Sequence, residues 1–87
     1  MHARMTLAKI VARNLRAVRL AEGLPQQVLA SRASVSVSYV SMLERGERSP
    51  PLETIEAMAK ALKVSPLYLL QEKDETGSRP RKRGRRG

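Results

Sequence analysis

Leu24-Pro25-Gln26-Gln27-Val28-Leu29-Ala30-Ser31-Arg32-Ala33, then Ser34-Val35-Ser36, then Val37-Ser38-Tyr39-Val40-Ser41-Met42-Leu43-Glu44-Arg45-Gly46 is the stretch on which the fold turns. Pro25 suits the first turn of a short helix, where its missing N–H has no helical partner to lose. That helix runs to Ala33 and turns Leu29 and Ala30 inward. Ser34 to Ser36 leaves room only for a tight connection. Ser36 offers a side-chain oxygen to cap a following helix, Val37 to Arg45, and Gly46 ends it.

Working outward, the same helical spacing continues on both sides. Leu7 to Glu22 puts Leu7, Val11, Leu15 and Val18 on one face, with Lys9, Arg13 and Arg16 elsewhere, and Gly23 is the expected C-cap. Ser49, Pro50 and Pro51 force an extended turn, because a residue that precedes proline avoids the helical region. Leu52 to Lys63 is a fourth helix with Leu52, Ile55, Ala59 and Leu62 inward. Ser65-Pro66 caps and opens a short fifth helix through Leu70. Nothing alternates as a strand and no segment repeats, so the pattern predicts an all-α, compact five-helix bundle. Residues 1–6 are expected to be a flexible N-terminus, 7–71 the single domain, and 72–87 a disordered polar linker and basic tail.

The chain has 87 residues, 41% of them hydrophobic, with neither Phe nor Trp and only two tyrosines, so its core must be aliphatic. Seventeen basic against eight acidic residues give a net charge of +9, the balance of a protein that meets a polyanion. Cysteine is absent, which removes disulfides, thiolate nucleophiles and cysteine-ligated metal and suits a reducing cytoplasm. The one histidine is His2, close to the terminus, so a metal site or a His-based catalytic site lacks material. Neither an enzyme nor a cofactor is expected. No signal peptide and no span of about 18 apolar residues is seen, so the chain is expected to be cytoplasmic and away from membranes.

The charge is unevenly spread. Residues 1–48 carry eight bases and three acids, whereas 49–76 carry three bases and five acids. Residues 77–87 add six bases (Arg79, Arg81, Lys82, Arg83, Arg85 and Arg86), no acid and no apolar side chain. Such a segment buries too little surface to offset its ordering entropy.

Two short helices joined by a tight turn are the arrangement that lays its second helix in the DNA major groove. The wording is more telling than the arrangement. Leu24 to Ala30, Val35 to Ser41, Leu43-Glu44-Arg45-Gly46, Pro51-Leu52-Glu53 and Ala59-Lys60-Ala61-Leu62, in that order and spacing, resemble the lambda-repressor-like (XRE-type) DNA-binding domain. The resemblance spans about residues 7–70. It implies five helices, helix 37–45 as the recognition helix, and a homodimer on a pseudo-palindromic operator in double-stranded DNA.

It also assigns roles. Val37, Ser38, Ser41 and Met42 fall where family members face base edges. Gln26, Ser36, Tyr39, Arg45 and Arg48 fall where they meet phosphates. Arg19 and Glu44 match a structural ion pair between the first and third helices. None of the base-facing four is a long polar reader, so none makes a bidentate base contact, although Val37 suits a thymine methyl and the serines hydrogen-bond promiscuously. Three departures from the family wording bear on stability. Pro25 stands where a capping Ser or Thr is common, while Ser34 and Lys63 stand where glycine is common. A left-handed backbone is therefore expected at a residue with a Cβ.

Lys82 to Gly87 resembles an AT-hook without that motif's Arg-Gly-Arg-Pro core, and reads first as an unspecific polybasic arm. Leu67, Tyr68, Leu69 and Leu70 are apolar beyond what a small bundle buries, which makes helix five the expected dimer face. The simpler alternative lets Leu67 and Leu70 complete the core and leaves only Leu69 or Tyr68 exposed. The function expected is a sequence-specific transcriptional regulator that acts as a repressor. Alternatives are an antitoxin or restriction–modification controller of the same family, or a protein-interaction module with non-specific nucleic-acid binding through the tail.

Overall fold

The computed structural model describes residues 6–72; the basic tail and the residues before Thr6 lie outside them. Five helices follow in chain order: α1 (Leu7–Ala21), α2 (Gln26–Ala33), α3 (Val37–Glu44), α4 (Leu52–Leu62) and α5 (Pro66–Leu70). No strand is present among the described residues. Helix α2 packs on α3 and α4, α1 packs on α3 and α5, and α4 packs on α5.

Local chemistry sets the helix starts. The hydroxyl of Thr6 accepts the Lys9 N–H at 3.2 Å and caps α1. Ser36 does the same for α3 through the Tyr39 N–H at 3.0 Å, and Ser65 caps α5 through Leu67 N–H. Pro25 sits one residue earlier than the sequence suggests, at the N-cap of α2 rather than inside its first turn, and supplies no side-chain cap. Its carbonyl still accepts the N–H groups of Val28 and Leu29.

The helix ends share one device. After α2 and α4 the chain turns left-handed, at Ser34 (φ 60°) and Lys63 (φ 62°). The next N–H then reaches back to close the last turn: Val35 to Ala30 O and Val64 to Ala59 O, both at 2.9 Å. For that reason Lys63 lies past the end of α4, and Arg45 likewise caps α3 instead of continuing it.

Leu15, Leu29, Val40, Leu43, Met58, Leu62 and Leu69 are fully buried, so every helix contributes to one aliphatic core. Two residues depart from the periodicity. Leu7 is 57% exposed and Leu52 72% exposed, although both lie on the faces expected to turn inward. Each stands at the first position of its helix. Leu7 borders a shallow hollow of about 90 Å³ with Ala8, Val11, Ser49, Pro50 and Ile55.

The dimer-face expectation also needs correction at one position. Leu69 is 0% exposed and belongs to the core, whereas Leu67 is 67% exposed. Tyr68 is exposed and Leu70 half-buried against the core. Buried Asn14 fixes this orientation. Its amide donates to the carbonyls of Leu69 at 2.9 Å and Gln71 at 2.8 Å, with a longer approach to Tyr68 O at 3.4 Å. The Leu69 and Gln71 carbonyls lie at the end of a helix and have no helical partner of their own.

Candidate nucleic-acid interface

Helix α3 is anchored by Val40 and Leu43, the two of its eight residues that are buried. A period of 3.6 then sends Ser38, Ser41 and Arg45 away from the core, with Val37 at the edge of the buried face. Val37, Ser38 and Arg45 are exposed; Ser41 and Met42 are half-buried. The four base-facing candidates therefore lie along one rim of the helix, with Met42 at its shoulder. Tyr39 is half-buried and packs against the core, so its ring is fixed from below. Ser36 is exposed beside it, with its oxygen engaged as the cap of α3.

The base of the motif is held by a polar cluster. Arg19 of α1 grips Glu44 of α3 through two parallel contacts, Nε to Oε2 at 2.5 Å and Nη2 to Oε1 at 3.0 Å. Both side chains are nearly buried. Arg19 also donates through Nη1 to Leu24 O at 2.7 Å, which ties in the chain entering α2. The bond to Glu44 raises the Arg19 pKa above its ordinary value against the opposing effect of burial. Gln26 joins the same cluster, its Nε2 donating to Glu44 Oε1 at 3.0 Å. One Gln26 amide N–H is thus committed to the motif's interior, which leaves the other to face outward.

At the far end of α3 the basic residues are arranged differently. Arg45 folds back along its own helix and donates from Nη1 to Ser41 Oγ at 2.5 Å. Its Nε and Nη2 reach the Glu47 carboxylate at 2.8 and 3.1 Å. The hydrogen bond from Arg45 is the main reason the Glu47 carboxyl is held below its ordinary range, and the charge of Lys9 adds to it. Lys9 lies close because the turn at Gly46 (φ 74°) gives it room: a Cβ there would meet Lys9 Cδ at 2.9 Å. Arg48 is exposed in the loop that follows.

The structure thus gathers Val37, Ser38, Ser41 and Met42 on α3, with Arg45 as its C-cap and Arg48 just beyond, and sets Gln26 and Arg19 beneath the helix. The candidates Arg79, Arg81, Lys82, Arg83, Arg85 and Arg86 lie outside the described residues. Lys9 and Glu47 are members of this edge that sequence reasoning does not single out. Their meeting depends on how α1 crosses the end of α3, and a solvent-facing charge at either position carries no signal of it. Among the described residues no group of three or more His, Cys, Asp or Glu is placed to hold a metal, and no helix is long and apolar enough to cross a membrane.

Comparison with known proteins gives a consistent result. A helix-turn-helix family model (HTH_3) matches residues 15–69. The chain is 39% identical over 72 residues to an uncharacterized HTH-type transcriptional regulator, y4dJ, of Sinorhizobium fredii, covering 83% of this chain and 94% of that one. It is 36% identical over 66 residues to the control protein C.SmaI of Serratia marcescens, covering 76% and 79%. Among solved structures, the restriction-modification controller protein C.AhdI of Aeromonas hydrophila superposes with a TM-score of 0.69 at 37% identity, covering 71% of this chain and 94% of that one.

Proposed function

The chain belongs to the helix-turn-helix family HTH_3 and is a DNA-binding transcriptional regulator, and from that premise we propose that it acts as a homodimeric repressor on a pseudo-palindromic operator. Helix α3 enters the major groove, with Val37, Ser38, Ser41 and Met42 toward the base edges. Gln26, Ser36, Tyr39, Arg45 and Arg48 meet the flanking phosphates. The observation that carries this reading is the anchoring of α3: two buried residues and the Arg19–Glu44 pair hold it while Val37 and Ser38 stay exposed. A rigid rim of short side chains lets the helix approach the groove floor closely, so methyl contact and serine hydroxyls do the reading that long side chains do elsewhere. The protein works in the cytoplasm without a cofactor.

A second reading is favoured by the similarity to C.SmaI and C.AhdI: the same DNA-binding mode used to time a restriction–modification system. The neighbouring genes decide between the two, since the chemistry of the interface is common to both. In either role residues 77–87 bind additional phosphates. Removal of that tail is expected to flatten the salt dependence of binding by up to about 0.9 log unit for each phosphate it had neutralised.

The test is a genomic-DNA pull-down with sequencing at physiological salt, on the full chain and on a chain ending at residue 76. A shared palindrome enriched by both supports the operator reading. Diffuse binding by the full chain and none by the shorter one overturns it and transfers the binding to the tail.

A further inference from the structure

The acidic residue on this basic rim is out of place. Glu47 follows Gly46 directly after α3, and its N–H bonds back to Met42 O at 3.1 Å, so the turn aims it at the helix it has just left. There its two carboxylate oxygens take the Nε and Nη2 of Arg45, the planar fork with which arginine binds carboxylates and phosphates alike. The third donor nitrogen, Nη1, is held by Ser41, and the Lys9 side chain of α1 packs across Gly46, from where its charge acts on the carboxylate. Arg45 and Glu47 are both about half exposed. An exposed pair of this kind contributes about 0–1 kcal/mol to stability, so stability is a poor reason for its geometry. On a surface that meets DNA, a carboxylate also repels.

We propose that Glu47 is an internal substitute for a DNA phosphate. In the free protein its carboxylate fills an anion site made by the Arg45 guanidinium, and docking on a duplex exchanges it for the non-bridging oxygens of a phosphodiester. The proposal rests on the DNA-binding geometry inferred above. It adds a ligand site and a role for the acid. Arg45 is kept in the shape that phosphate requires, together with a competitor that any duplex must displace. Weak, sequence-independent encounters are thereby penalised. On the operator, contacts elsewhere along α3 outweigh the competition.

The test uses four full-length chains: wild type, Glu47→Gln, Arg45→Gln and the double variant. Their affinity for a short mixed-sequence duplex is measured by fluorescence anisotropy at one salt concentration. Glu47→Gln is expected to tighten binding about two- to fivefold, the fold-change that an exposed ion pair is worth. Arg45→Gln is expected to weaken binding, and by more when Glu47 is already Gln. If Glu47→Gln leaves affinity unchanged or weakens it, Glu47 supports Arg45 or is idle, and the exchange is overturned. Equal tightening with and without Arg45 also overturns it, since only a repelling charge has then been removed. If Arg45→Gln has no effect in either background, this edge of α3 does not meet the duplex, and the docking geometry beneath the proposal falls with it. Both sites are exposed, and unchanged helical circular dichroism confirms that the fold is intact.

Discussion

Ser34 and Lys63 hold backbone angles that crowd a Cβ against the following carbonyl. The equivalent turns after α1 and α3 are made by Gly23 and Gly46, which avoid that crowding. Ser34→Gly and Lys63→Gly relieve it, and each is expected to stabilise the fold by about 1 kcal/mol. Thermal unfolding checks this, and the two gains should add because the turns end different helices. At Gly46 the same logic runs backwards. Gly46→Ala combines a positive φ with a methyl 2.9 Å from Lys9 Cδ, so it should destabilise and displace Lys9 together.

Asn14 shows how an element as short as α5 is kept in place. Five residues cannot hold a helix by their own hydrogen bonds, and the amide of Asn14 closes the carbonyls where α5 ends. Asn14→Ala is expected to cost about 1–3 kcal/mol, the penalty of leaving a buried polar group without a partner. Hydrogen exchange should quicken in α5 before it does in α2 or α3. Much of this architecture is legible in the sequence. The helix order and the caps at Ser36 and Ser65 follow from local chemistry that the residues declare themselves, whereas the left-handed turns at Ser34 and Lys63 are expected only from the family resemblance, which has glycine there. The exposure of Leu7 and Leu52 is not legible, because periodicity reports the side of a helix, never how far its neighbour extends. The split between buried Leu69 and exposed Leu67 is hidden for a related reason: one turn of helix is too short for its pattern to choose a face. Asn14 does leave a trace, as a polar residue beside Val11, Leu15 and Val18. The Lys9–Glu47 approach leaves none, since it is created by the crossing of α1 over the end of α3.

For the molecule as a whole, charge and apolar surface are segregated. The first 48 residues carry most of the folded part's positive charge, while the exposed Leu67 and Tyr68 lie on α5, which contacts α1 and α4 rather than the α2–α3 unit. On the proposed reading, that separation lets α5 serve a second copy while α3 serves the DNA. Leu67→Glu is expected to shift sedimentation equilibrium from dimer to monomer and to weaken operator binding, with the helical signal unchanged. A dimer that persists would move the interface elsewhere. The anchoring of α3 by Val40 and Leu43 has one more consequence, which concerns ancestry and engineering. Folding constrains those two positions, and the rim opposite them is free to drift. If 37, 38 and 41 face the bases as proposed, a lineage of such proteins can acquire new targets there with little loss of thermal tolerance, and a library randomised at those positions should yield folded members in abundance.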